Sequence, residues 1–199
     1  MKNCYFAFKN LFFVYFRAYN CLEVTGREFI PREGGLIVIS NHSSYLDPLI
    51  IGAAVDRRMT YLAKKELFTN PLIGRFVSSF SLPVSREGSS HTTIKETVKR
   101  LCGGEAIAMF PAGERDKAGD GSGAGFKRGL ELLARLSKVP VLPAYIKGAD
   151  RSLPVGRKFP RPARISVRFA PCLPPDCADA EGESIISRAI ESIGRLKTA

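Results

Sequence analysis

Leu36-Ile37-Val38-Ile39-Ser40-Asn41-His42-Ser43-Ser44-Tyr45-Leu46-Asp47-Pro48 is the stretch on which the fold turns. The apolar run Leu36 to Ile39 reads as a buried strand, and a second one, Leu49 to Val55, reads as a helix. Between them lies a polar loop, the place where α/β enzymes put their chemistry. The loop holds one of the two histidines of the chain, with a carboxylate five residues on. On a continuous helix such a pair would point about 140° apart. Pro48 offers a way round this. Proline suits the first helical turn, so Asp47 sits at the helix mouth and the chain bends between His42 and Asp47. The bend lets the carboxylate reach the imidazole, giving a base with an orienting partner and no obligatory nucleophile. A plainer alternative exists: Asp47 before Pro48 makes an N-cap, and a histidine near a strand end is commonly structural. Asn41 to Pro48 alone favour the plainer alternative slightly; the rest of the chain reverses that.

A chain of 199 residues with 45% hydrophobic content is long enough for one domain with a sizeable core. The 30 Lys and Arg against 19 Asp and Glu leave +11. Such a surface attracts polyanions: nucleic acid, anionic lipid headgroups or phosphorylated substrates. No run of five like charges marks a disordered tail, so the charge is spread over a folded surface. The cysteines, Cys4, Cys21, Cys102, Cys172 and Cys177, are odd in number and form no CxxC pair or zinc-spaced cluster. They read as reduced thiols of a cytoplasmic protein, and no metal is expected.

Residues 1–20 hold eight of the 19 Phe and Tyr residues of the chain. As a helix they would show a wide aromatic face and a narrow polar stripe of Asn3, Asn10 and Arg17, with Lys2 and Lys9 beside it. Lys9-Asn10 interrupts the apolar run, so it is too short to span a bilayer, and no small-residue cleavage site follows. A helix lying in a membrane interface is expected, as aromatic rings and snorkelling cations favour that depth. The competing expectation is a helix packed on the protein's own core. The domain boundary is placed at 20/21, with 21–199 as the body.

Beyond the Glu33-Gly34-Gly35 turn the elements alternate. Strands are expected at Met59 to Ala63, Ser81 to Arg86, Ala106 to Phe110, Val139 to Ile146 and Ile165 to Phe169. Helices are expected from about His91 to Cys102, capped by Ser90 and closed by Gly103-Gly104, from Phe126 to Lys138, and from Glu181 to Lys197. A broken helical segment is expected over 64–74, and a flexible Gly-rich loop from Gly119 to Gly125. The alternation predicts a single-domain α/β sandwich with a mostly parallel sheet flanked by helices. Arg86 ends one extended segment and Arg115 lies just past another strand, in the turn Phe110-Pro111-Ala112-Gly113-Glu114-Arg115. Strand ends of one sheet converge, so both arginines are candidates to face the His42 loop and hold a phosphate.

Taken together these motifs resemble the glycerolipid acyltransferase family, nearest the bacterial 1-acylglycerol-3-phosphate (lysophosphatidic acid) acyltransferases. Asn41, His42 and Asp47 match its Asn-His-x4-Asp motif. Pro83-Val84-Ser85-Arg86 matches its second region, preceded by Ala63-Lys64-Lys65-Glu66-Leu67-Phe68 and Pro71-Leu72-Ile73-Gly74. Phe110 to Arg115 stands where the family has Phe-Pro-Glu-Gly-Thr-Arg. Val139-Pro140-Val141-Leu142-Pro143 matches its fourth motif, after Phe126-Lys127-Arg128-Gly129. The likeness runs from about Leu22 to Gly148. It implies that His42 is the general base, that Asp47 holds its tautomer, and that Arg86 and Arg115 hold the acceptor phosphate. Asn41, Lys64, Gly113 and Glu114 are further candidates for the substrate site. It implies an acyl-coenzyme A or acyl-carrier-protein thioester as co-substrate, a lysophospholipid acceptor, no other cofactor, no acyl-enzyme, and backbone N–H groups as oxyanion donors. Residence on the cytoplasmic face of the cell membrane, against anionic lipids, is expected. The chain departs from the family at Ala112, where the motif has glutamate, and at Glu114, where it has threonine. That leaves another lysophospholipid acceptor open.

Two other classes compete. A nucleic-acid-binding domain rests on the charge alone and needs aromatics interleaved with basic residues on an exposed sheet. An acyl hydrolase needs a serine nucleophile, and neither Ser43 nor Ser44 sits in a G-x-S-x-G elbow.

Overall fold

The structure, a computed structural model, describes residues 2–64, 80–84, 91–110, 122–154, 156–157, 159–175 and 184–198. Seven strands form one sheet: β1 (Glu23–Thr25), β2 (Leu36–Ser40), β3 (Met59–Lys64), β4 (Ser81–Val84), β5 (Ala106–Met109), β6 (Val141–Lys147) and β7 (Ser166–Phe169). Their order is β1-β7-β6-β2-β5-β3-β4. β6, β2, β5, β3 and β4 run parallel, while β7 pairs antiparallel with β6 and carries β1. The sheet is therefore mostly parallel, as the alternating pattern predicts. The helices are α1 (Lys2–Tyr19), α2 (Asp47–Ala54), α3 (His91–Cys102), α4 (Ser122–Ser137), α5 (Ala149–Ser152) and α6 (Ile185–Thr198).

β2 is the centre of this arrangement, paired with β5 on one side and β6 on the other. All five of its residues are buried, because helices cover both faces of the sheet. Its side chains alternate between two cores. Leu36 and Val38 pack with Phe16, Leu22, Ile50, Ile51, Met59 and Tyr61, under α1 and α2. Ile37 and Ile39 pack with Leu101, Leu130, Leu133, Val141 and Ile186, under α3, α4 and α6. The result is a three-layer sandwich with β2 in its middle.

Several boundaries differ from the sequence reading. α2 begins at Asp47, two residues early, because Pro48 is already helical. α4 begins at Ser122, so the second half of the expected Gly-rich loop is helix; composition alone reads glycine as a breaker. β1 is too short to show a period, and α5 spans four residues. The expected cap at Ser90, the 65–74 part of the broken helix, and Arg86, Gly113, Glu114 and Arg115 lie outside the described residues.

α1 packs on the body along one face, as the competing expectation for the N-terminus has it: Phe16 is fully buried, and the Tyr5 hydroxyl accepts the Met59 N–H at 2.9 Å. Lys9 also turns inward and pairs with Asp56 at 3.0 Å, so it does not belong to a solvent-facing stripe. The other face leaves Phe6, Phe8, Leu11, Val14, Tyr15 and Tyr19 exposed. Among the described residues, no helix is long and apolar enough to cross a membrane.

Arg57 holds the opposite edge of the sheet together. Its guanidinium donates to the carbonyls of Pro31, Glu33, Gly34 and Gly104, stapling the turns that feed β2 and β5. A lysine has one nitrogen and cannot span four carbonyls in a plane. Arg57→Lys is expected to cost about 1–3 kcal/mol. The denaturant midpoint of the purified variant should fall, with activity per folded molecule unchanged; an unaltered midpoint would remove the staple from the account of stability.

Candidate active site

β2 ends at Ser40, on the edge of the sheet where the five parallel strands terminate. The next residue, Asn41, extends the ladder with its side chain. Its Nδ2 donates to the Ile146 carbonyl at 2.9 Å, and its Oδ1 accepts the Ile146 N–H at 2.7 Å. A carboxamide offers the same donor and acceptor as a peptide group. Asn41 thus replaces a backbone rung with β6 while the main chain turns away into the loop. Its amide is engaged there, holding the loop's root.

The turn brings His42 back over the start of α2. His42 Nδ1 lies 2.9 Å from Asp47 Oδ2. The same oxygen accepts the backbone N–H of Ser43 at 2.6 Å and of Ser44 at 2.7 Å. Asp47 is fully buried, while the His42 side chain is 29% exposed. These contacts set Asp47 apart from an ordinary N-cap. A capping carboxylate would accept N–H groups of the following helical turn. Here it reaches backward, to two amides that precede α2 and to the imidazole, and the cap position falls on Leu46 with no side-chain hydrogen bond.

Three donors converging on Oδ2 have a chemical consequence. Two are backbone N–H groups and cannot reverse their polarity. Oδ2 is therefore an acceptor, and the His42 Nδ1 proton points at it. A neutral imidazole with its proton on Nδ1 carries its lone pair on Nε2. The Phe110 ring lies 5.0 Å from the His42 ring at 34°, so the residue after β5 limits the imidazole from the side. Ser44 completes the loop: it is buried, its hydroxyl donates to the Leu153 carbonyl at 3.2 Å, and its Oγ accepts the Leu46 N–H at 3.3 Å.

The competing classes lose their supports. Ser44 Oγ is buried and committed to the main chain, and among the described residues no serine hydroxyl bonds His42. Burial pushes the Cys172 thiol up to about 11, out of range for a nucleophile at neutral pH. Among the described residues the sheet has no bare face on which bases could stack, since both cores lie beneath helices.

Of the remaining candidates, Lys64 is the last residue of β3, on the same sheet edge as His42. Arg86, Gly113, Glu114 and Arg115 fall outside the described residues. The structure adds contributors with no local sequence signal: the Ser43 and Ser44 amides, the Phe110 ring and the Ile146 backbone. The amides are set by the loop's own turn, while the Phe110 ring and the Ile146 backbone depend on which strands become neighbours.

A buried carboxylate thus holds a partly exposed histidine at the carboxyl edge of a parallel sheet. Residues 21–147 match the family model described as Acyltransferase, and the chain belongs to that family. It is 33% identical over 129 residues to the 1-acyl-sn-glycerol-3-phosphate acyltransferase of Bacillus subtilis, a match covering 64% of this chain and 63% of that one. It is 29% identical over 174 residues to the 1-acyl-sn-glycerol-3-phosphate acyltransferase alpha of Mus musculus, covering 82% of this chain and 60% of that one. Both matches span less than two thirds of the relative's own length. The fold is that of the crystal structure of the 1-acyl-sn-glycerophosphate (LPA) acyltransferase PlsC from Thermotoga maritima. The TM-score is 0.77 at 23% identity, over 100% of this chain and 81% of that one.

Proposed function

We propose that this protein transfers an acyl chain from an acyl-coenzyme A or acyl-carrier-protein thioester to the free hydroxyl of a lysophospholipid. The acceptor proposed is 1-acylglycerol-3-phosphate, with phosphatidic acid as product. The observation that carries this reading is the convergence of His42, Ser43 and Ser44 on Asp47 Oδ2, which points a basic Nε2 outward. Family membership and the names of the relatives support the reaction class and acceptor.

In this mechanism Nε2 takes the proton of the acceptor hydroxyl as its oxygen attacks the thioester carbonyl. The imidazolium that forms is stabilised by Asp47. The tetrahedral intermediate collapses with loss of the thiolate, which leaves with the proton from Nε2. One ester forms, one thioester breaks, and His42 returns to its starting state without an acyl-enzyme. Holding the acceptor beside the base can supply several kcal/mol of the barrier. Arg86 and Arg115 are assigned to the acceptor phosphate. The chain leaves β5 at Phe110, beside His42, and leaves β4 at Val84 on the same sheet edge. Incubating the purified protein with acyl donor and a panel of lysophospholipids, with mass spectrometry of the products, tests the assignment. Preferred acylation of a headgroup other than the phosphomonoester would give the Ala112 and Glu114 departures their meaning. Free fatty acid as the only product would make the protein a hydrolase.

Arg115→Lys keeps the charge but loses the bidentate fork. The acceptor KM is expected to rise about tenfold or more while the donor KM stays near wild type, with Arg86→Lys acting in the same direction. Steady-state kinetics with each substrate varied in turn checks this; a change confined to the donor KM would reassign the arginines.

The protein is further proposed to work on the cytoplasmic face of the cell membrane, with the exposed face of α1 in the interface. Deleting the helix would be a poor test, because Phe16 belongs to the core. Leu11→Ser with Val14→Ser changes only exposed side chains. This double variant should bind neutral vesicles about tenfold or more weakly. It should lose more activity on vesicle-borne than on detergent-dispersed acceptor, and unchanged vesicle binding would exclude α1 as the contact.

A further inference from the structure

The segment after α5 is unlike the rest of the surface. Between Arg151 and Arg164 it carries Arg151, Arg157, Arg161 and Arg164, all exposed, and no acidic residue; the nearest in the chain is Asp150. None of the four has an ion-pair partner among the described residues. Phe159 stands among them, 80% exposed, the most exposed of the large apolar side chains described. Such a side chain in water gains nothing for the fold.

The segment is nonetheless firmly rooted. The Arg161 N–H donates to the Ser152 carbonyl at 2.9 Å, and the Ser152 hydroxyl donates to the Arg161 carbonyl at 3.0 Å. Asn20, fully buried just past α1, donates from Nδ2 to Ser152 Oγ and to the Ala163 carbonyl, both at 3.0 Å. Ser152 and Arg161 are thus clamped to each other and to the end of α1. Beside that clamp the segment meets α1, since the Tyr19 hydroxyl donates to the Pro160 carbonyl at 3.3 Å and Tyr15 stacks on Tyr19 at 5.3 Å. Its root joins the active site, since the Leu153 carbonyl takes the Ser44 hydroxyl. The segment therefore adjoins the exposed face of α1 at Tyr19 and Pro160, while the buried contact of Leu153 with Ser44 ties its root to the loop that holds His42.

We infer that this arginine loop is a second membrane contact, one that selects anionic lipid and seats the mouth of the active site on the headgroups. The inference rests on the membrane reading proposed for α1. Charge complementarity argues for the occupant: unpaired arginines match a phosphodiester surface. An exposed aromatic ring among them, with the apolar face of α1 meeting the segment at Pro160, matches the interface depth below it. Nucleic acid would satisfy the charges but would leave that apolar surface in water.

The test uses the full chain and co-sedimentation with vesicles of phosphatidylcholine, with and without phosphatidylglycerol. Arg157→Gln with Arg164→Gln is the informative variant, because neither side chain makes a hydrogen bond among the described residues; Arg161 is left alone because its Nε braces the Arg151 carbonyl. Wild type should prefer the anionic vesicles. The double variant should lose about tenfold or more of that preference, at roughly fivefold per arginine. Its binding to neutral vesicles, its melting temperature and its activity on detergent-dispersed acceptor should be unchanged. Phe159→Ser should weaken binding to both vesicle types. A double variant that keeps the full anionic preference overturns the inference and leaves the α1 contact standing. A wild-type chain that binds neither vesicle overturns both. A short RNA that binds in dependence on Arg157 and Arg164, with no such dependence for vesicles, overturns it in favour of nucleic acid.

Discussion

Replacing His42 with alanine is expected to lower acyl transfer by about 10²–10⁴-fold while the protein stays folded. The acceptor hydroxyl is a poor nucleophile at neutral pH, and only His42 presents a base that Asp47 has oriented. The fold should survive because the imidazole is partly exposed and meets the margin of the core only through the Phe110 ring among the described contacts. Asp47 would keep two of its three donors, the Ser43 and Ser44 amides, so the loop retains its shape. Thioester consumption with saturating lysophosphatidic acid measures the loss, and circular dichroism and thermal melting check the fold. A folded variant within a few-fold of wild type would move the base elsewhere.

Asp47→Asn should be nearly as damaging, for a different reason. The Ser43 and Ser44 N–H groups require an acceptor where Oδ2 now sits, so the asparagine carbonyl must take that place. From there it can still accept the Nδ1 proton, and the tautomer is kept. What disappears is the negative charge facing the imidazolium. Opposite charges about 4 Å apart at an effective dielectric near 20 attract by about 4 kcal/mol. Losing much of that in the transition state lowers kcat by on the order of 10²–10³-fold. The melting temperature should move little, since both amides keep an acceptor. If Asp47 only shaped the helix entrance, asparagine would serve as well in rate and in stability. Near-normal turnover of this variant would therefore remove Asp47 from the mechanism.

The contrast between these residues and their neighbours shows what a sequence can and cannot convey. The strand, loop and helix around His42 are local: four apolar residues, a polar stretch and a proline that starts α2. Pro48 also makes the bend between His42 and Asp47 readable. The partners of that loop are not local. Asn41 meets Ile146, Ser44 meets Leu153 and Phe110 meets the His42 ring only because β6 and β5 flank β2. Nothing in the alternation of strands and helices states that order. α1 failed to read cleanly for a related reason. Its aromatics serve two faces, and Lys9 points inward because Asp56 happens to lie there. Ser122 to Gly125 read as loop on composition, yet they open the helix whose Leu130 and Leu133 fill the second core.

The central claim is that Asp47 presents His42 to the acceptor as a base at Nε2. Long-range proton–nitrogen correlation spectra of the ring test it directly. The chain has only two histidines, so a His91→Gln variant leaves His42 as a single imidazole signal. With the imidazole neutral, the proton should be found on Nδ1 and the unprotonated nitrogen at Nε2, the reverse of the form free histidine prefers. A neutral His42 protonated at Nε2 would place a lone pair against the Asp47 carboxylate and contradict the account.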